Sequence, residues 1–171
     1  MKRNILLVFS LVLVAICAVS CTGEAVMSPN VQYGSAVYRT YATVDTLGRD
    51  TIISDTISLS DSLQVGDTLR FPLIINGYYD YLTSFIASAD TSKVAVSFTW
   101  DEELSDFLSP AADPEHANLT FEPAKVYACL TTLVYVPKAP GSHRIDLLLT
   151  SAAKPPYAEW QGHFFIGVKN P

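Results

Sequence analysis

The feature that most constrains this chain is alternation of apolar and polar residues with a period of two. Leu63, Val65, Leu69, Phe71, Leu73 and Ile75 share odd parity, with Gly66-Asp67 interrupting. Successive side chains of a strand point to opposite faces, so this pattern turns one face to a core. The pattern recurs along the chain. Tyr33–Asp45 is rich in Tyr, Val and Thr, and Asp50–Leu59 carries Ile53, Ile57 and Leu59 on one parity. Leu47-Gly48-Arg49 between them predicts a hairpin turn. Val94, Val96, Phe98 and Trp100 alternate next, then Ile145, Leu147 and Leu149 against Arg144 and Asp146, then Phe164, Ile166 and Val168. Lys125–Val136 is apolar on both parities, which predicts a central strand.

Turn residues divide these runs. Pro72 has no N–H to give to a ladder, so an edge strand or a bulge is expected there. Asn76-Gly77 predicts a two-residue hairpin, because both positions tolerate positive φ. The return strand is then Tyr78–Ser88, with Tyr79, Tyr81, Thr83 and Phe85 on one parity. In Asp101–Leu108 the acids come first, and Leu104, Phe107 and Leu108 follow at helical spacing. One or two helical turns are expected, with Asp101 as the cap. Leu119–Glu122 is read as a short strand, and Pro137, Pro140-Gly141 and Lys154-Pro155-Pro156 as stops. About 7–9 strands with almost no helix predict an all-β antiparallel sandwich, since two amphipathic sheets must cover each other's apolar faces. A closed barrel is the alternative.

The first residues have a different logic. Lys2 and Arg3 precede an apolar run, Ile5–Val19, of fifteen residues. As a helix it would be about 22 Å long, short of the ~30 Å hydrocarbon core, so it suits a signal peptide better than a spanning helix. It ends in Ala18-Val19-Ser20-Cys21, which resembles the lipobox of bacterial lipoproteins, with Ala18 where Leu is usual. The resemblance implies cleavage after Ser20, a diacylglycerol on the Cys21 sulfur and N-acylation of the new terminus. An ordinary secretory signal and an uncleaved anchor are the alternatives. Thr22, where Asp would favour inner-membrane retention, points to the outer membrane. Residues 1–20 are therefore read as a signal peptide, 21–32 as a lipidated tether and 33–171 as one domain. The sandwich resembles immunoglobulin-like domains of bacterial surface lipoproteins over residues 35–168. Val65-Gly66-Asp67-Thr68-Leu69 and Gly141-Ser142-His143-Arg144-Ile145, each entering a strand, carry that resemblance.

Removing Lys2 and Arg3 with the leader leaves 9 basic residues against 17 acidic ones, 9 − 17 = −8. Such an acidic body repels nucleic acid phosphates, so no nucleic-acid partner is expected. With Cys21 lipidated, Cys129 has no disulfide partner. It stands in an apolar stretch without a nearby His and reads as an inert thiol.

Asp45-Thr46-Leu47, Asp50-Thr51-Ile52, Asp55-Thr56-Ile57, Asp61-Ser62-Leu63 and Asp67-Thr68-Leu69 repeat one triplet five times within 25 residues. It is similar to the acceptor site for general O-glycosylation of exported proteins in some Gram-negative gut bacteria. The resemblance implies glycans on exposed members of Thr46, Thr51, Thr56, Ser62 and Thr68. Turn-to-strand junctions alone also produce such triplets.

Tyr78, Tyr79 and Trp160, with Tyr81, Trp100 and Tyr157, are candidates for stacking sugar rings, against the commoner role of core aromatics. His116, His143 and His163 lack the close spacing of a zinc site, and Glu102, Glu103, Asp106 and Asp113 lack EF-hand spacing. There is no Gly-x-Ser-x-Gly elbow and no phosphate-cradling glycine loop. No catalytic residues, metal or cofactor are therefore expected. The reading is a non-enzymatic, membrane-anchored envelope lipoprotein presenting loops to a protein or a glycan. A carbohydrate-binding accessory component and a surface-filament subunit are the alternatives.

Overall fold

A computed structural model describes residues 27–34, 37–57 and 63–169. Ser20, Cys21 and Ser62 lie outside the described residues. Eleven strands are found among those described: β1 (Asn30–Tyr33), β2 (Val37–Val44), β3 (Asp50–Ile57), β4 (Leu63–Gln64), β5 (Thr68–Asn76), β6 (Leu82–Ala89), β7 (Val94–Thr99), β8 (Asn118–Thr120), β9 (Ala128–Pro137), β10 (Gly141–Ser151) and β11 (Glu159–Lys169). The count exceeds the expected 7–9 because β1 falls in the stretch read as tether and the Leu63–Ile75 run divides at Gly66-Asp67 into β4 and β5. Asn30–Gln32, expected in the tether, belongs to β1, which pairs with β5. The helical turns expected after Asp101 are a 3₁₀ segment, Glu102–Phe107.

Two sheets pack face to face, as the alternation predicted. One runs β3-β2-β5-β9-β7, with β1 also paired to β5; the other runs β4-β11-β10-β6-β8. All pairings are antiparallel except the two-residue contact of β4 with β11. Aromatic pairs join the layers. Phe85 of β6 stacks on Phe98 of β7 at 4.9 Å, and Phe71 of β5 meets Phe164 of β11 at 5.6 Å. Phe85, Phe98 and Phe71 are buried, and burying an aromatic or aliphatic side chain of that size is worth about 1.5–3 kcal/mol.

Two local expectations are corrected. Pro72 lies in β5, which is paired on both sides rather than at an edge. Along one side of β5, β2 covers Thr68–Arg70 and β1 covers Leu73–Asn76, so Pro72 falls where one neighbour gives way to the other. Its carbonyl accepts from Gly34 N at 2.8 Å, and its missing N–H falls at that junction, so the bond to Gly34 is made one way only. The second correction is at Asn76-Gly77. β5 and β6 belong to different sheets, so no hairpin joins them. Asn76 Oδ1 accepts from Tyr78 N at 2.7 Å, and Tyr78, not Gly77, takes the left-handed conformation, with φ of 57°. Gly77 is needed for another reason: a Cβ there would collide with the carbonyl oxygen of Asp80.

The parity expected for β6 also breaks. Thr150 pairs with Ser84 and Ser151 with Leu82, so Thr83 is the extra residue of a bulge. Thr83 and Ser84 hydroxyls both lie within hydrogen-bond distance of Thr150 Oγ1, at 2.6 and 2.7 Å. Beyond the bulge Phe85 and Ala87 point inward.

Candidate functional site

The strands give the sandwich two distinct ends. β1 begins, β5 ends, β6 and β9 begin, and β10 gives way to β11 at the same end, the one where the chain enters the fold. Three connections meet there, 77–81, 121–127 and 152–158. Backbone bonds tie them: Gly77 N to Tyr127 O at 2.7 Å, Leu82 N to Val126 O at 2.6 Å and Ala152 N to Tyr81 O at 2.8 Å. These segments carry five tyrosines. Tyr81 and Tyr127 stack at 4.0 Å, and the Tyr127 hydroxyl is raised above its ordinary pKa first by its hydrogen bond to Tyr81. Tyr78 Oη accepts from Asn30 Nδ2 at 2.7 Å, which fastens β1 to the first connection. Tyr79 is 66% exposed, and Tyr157 is also exposed.

Beside this end lies an open apolar cleft of about 540 Å³ lined by Trp100, Phe107 and the run Lys125–Leu130. Lys125 Nζ reaches Asp106 O at 3.1 Å across one side of it. Leu130, 70% exposed, pairs in register with the exposed Ile74 of β5, so apolar surface continues from the cleft onto the outer face of the sheet. β9 is central by its pairing with β5 and β7, as expected. Its second apolar parity, however, faces outward at Leu130 rather than into another layer.

The opposite end carries a projection. β2 meets β5 only through Tyr38–Thr40. Tyr41–Val44 and Asp50–Ile53 pair with each other past that contact, about 13 Å of ladder at ~3.3 Å per residue, and then close through Asp45–Arg49. The hairpin predicted here is therefore present, and its tip stands clear of the sandwich. Asp45 holds the turn: its carboxylate accepts from the backbone N–H of Leu47 and Arg49 at 2.8 and 2.9 Å and from Arg49 Nε at 2.9 Å. The Arg49 backbone bond is the first cause that lowers its pKa. Arg39 bonds Asp55 twice, at 3.2 and 2.8 Å, lies 4.7 Å over the Tyr41 ring, and lowers the Asp55 pKa. Ala42, Val44 and Ile52 share one face of the ladder and are exposed, Ile52 at 75%.

Thr46, Thr51 and Thr56 all sit in this hairpin with exposed side chains, while Thr68 is half-buried at the start of β5. The aromatic candidates separate. Tyr78 and Tyr79 stand in the connection between β5 and β6. Trp160 is on the inner face of β11, packed against the core with its ring over Gly162, where a Cβ would collide with it. The histidines separate too. His116 is exposed and bonds Asp113 at 2.8 Å, His143 is buried with Nδ1 2.6 Å from Tyr135 Oη, and His163 is on the outer face of β11 in edge contact with Phe165. Among the described residues, no three His, Cys, Asp or Glu side chains come together as a metal site. Burial pushes the Cys129 thiol up to about 12, so it stays protonated and unreactive at neutral pH. The sequence reading missed Ile74, Phe107 and Leu130 as surface. For Leu130 the signal available was a strand apolar on both parities, which was assigned to burial; Ile74 lies on the parity of β5 opposite the core residues, and Phe107 lies in the 3₁₀ segment.

No protein-family model matches the chain, and no curated protein matches it. Among solved structures it is similar to a family 123 glycoside hydrolase from Clostridium perfringens described for glycolipid glycan hydrolysis. The identity is 13% over 64% of this chain and 22% of that one, with a TM-score of 0.38. The chain spans about a fifth of that protein's length, and a likeness this slight carries no argument about activity.

Proposed function

We propose that this chain is a non-enzymatic lipoprotein of the cell envelope, anchored in the outer membrane through Cys21, whose immunoglobulin-like sandwich holds the β2–β3 hairpin out to a protein partner. The observation that supports this is directional. The chain enters the sandwich at one end, and the hairpin leaves from the other. A lipid at Cys21 then places the hairpin tip on the far side of the body from the bilayer. An apolar face on a projecting element is a feature of contact surfaces. Two or three acyl chains suffice for lasting attachment, at ~0.8 kcal/mol per buried CH₂. In the intact envelope, a photoreactive residue at Ile52 is expected to capture one protein reproducibly, and the same probe at Gln161 none. Equal capture at both positions contradicts a hairpin partner.

The exposed Thr46, Thr51 and Thr56 support O-glycosylation of the same hairpin. The intact mass of the protein from its native envelope reads anchor and glycans together. The expected species begins at Cys21, carries the lipid increment, and carries sugar increments that map to the hairpin peptide. A lipid-bearing species without sugar removes the glycans and leaves the anchor; a bare chain removes both.

A further inference from the structure

Resting on the anchored reading, we infer that the end of the sandwich where β1 begins is a membrane-contact surface: Ile74, Phe107, Tyr127 and Leu130, flanked by Tyr79 and Tyr157, lie in the interface of the bilayer that holds the Cys21 lipid. Three observations carry this. First, the exposed apolar and aromatic side chains of this end are contiguous with the cleft beside it, and Ile74 and Leu130 form one cross-strand pair. Leu130 and Ile74 stand only two residues in from the strand ends, roughly 7 Å, so a slight tilt brings them to the same plane as the connections. Second, the chain that would carry the lipid leaves from this end. Asn30 pairs with Asn76 beside the tyrosine connections, and Cys21 precedes it by nine residues, a reach of at most about 30 Å. A short tether makes contact with the bilayer intramolecular, so even a modest apolar patch is occupied. Third, the chemistry fits a lipid interface. Tyrosine presents an apolar ring and a polar tip, the arrangement favoured at the headgroup level. Lys125 and Lys154 stand among Asp80, Asp106 and Glu122, so the charge of this end is mixed and suits zwitterionic headgroups better than a strongly anionic surface.

The consequence is an orientation. The tether alone would let the body tumble. A second contact at the tyrosine end fixes the long axis away from the membrane and aims the hairpin outward.

The test uses the mature lipidated protein in phosphatidylcholine vesicles with nitroxide labels near the headgroup end of the acyl chains. Trp100 lines the cleft and serves as the reporter, while Trp160 stays on the inner face of β11. Flotation reads anchoring separately from contact. The expected result is that wild-type protein floats with its Trp emission quenched. A Tyr127→Glu/Leu130→Glu variant is expected to float equally and lose the quenching. Both substituted side chains are exposed, and near-UV circular dichroism confirms that the fold survives. Wild-type protein that floats unquenched, that pairs with a second copy through this face, or that is quenched equally in the variant overturns the inference and leaves the anchor standing. Protein that does not float overturns the anchor and the inference with it.

Discussion

His143 and Tyr135 meet between the two layers, both buried, with Nδ1 and Oη 2.6 Å apart. Burial raises the tyrosine hydroxyl well above its ordinary pKa, so it remains protonated. His143 Nε2 has no partner among the described residues, which makes the Tyr135 hydroxyl the one group that satisfies this ring. Tyr135→Phe removes it and leaves a buried polar ring unbonded. The expected loss is about 1–3 kcal/mol, read as a fall of several degrees in the thermal midpoint. An unchanged midpoint would show that the pair contributes nothing. His143 shares parity with Ile145 and Leu147, a signal for the inward face that the sequence analysis left unused. Its partner was not legible, since period two reports the face a residue takes and not what stands on the opposite sheet. Trp160 follows the same rule. Its parity with Phe164 and Ile166 marks it as inward, and the small Gly162 between them makes room for the ring.

At the scale of elements, the β2–β3 hairpin is held by charge as well as by its ladder. Asp45 closes the turn and Asp55 pairs with Arg39, and both carboxyls are held below the ordinary carboxylate range. A depressed pKa means that their contribution is complete above about pH 4, the unfolded value, and is lost as pH falls through the lowered native values. The hairpin amides are therefore expected to lose hydrogen-exchange protection below pH 4 while those of β9 and β10 keep theirs. Loss in all strands together would show that the hairpin has no separate acid sensitivity. Both the hairpin and its turn were legible, because Leu47-Gly48-Arg49 separates two runs of strand-forming residues. The β5–β6 connection was not. Asn76-Gly77 is turn chemistry, and Asn76 does hold the turn through Tyr78 N, yet a hairpin and a crossing between sheets need the same residues. Pro72 was misplaced for a related reason. A missing N–H excludes one ladder bond, and the structure supplies that gap between β1 and β2 rather than at an edge.

For the whole molecule, the sandwich follows from amphipathic strands that must hide one face each, and that much was read from alternation alone. The polarity of the body was not, because it depends on which strand ends lie together. Only with the register known do the entering chain and the tyrosine connections fall at one end and the projecting hairpin at the other. A lipid anchor at Cys21 is what would give this polarity a meaning. Replacing Cys21 by Ala and fractionating the cells tests it most directly. Wild-type protein is expected in the membrane pellet, resistant to salt and released by detergent, and the variant in the soluble fraction or retained as an uncleaved precursor. Processed Cys21→Ala protein that still pellets with membranes and resists salt would contradict the account.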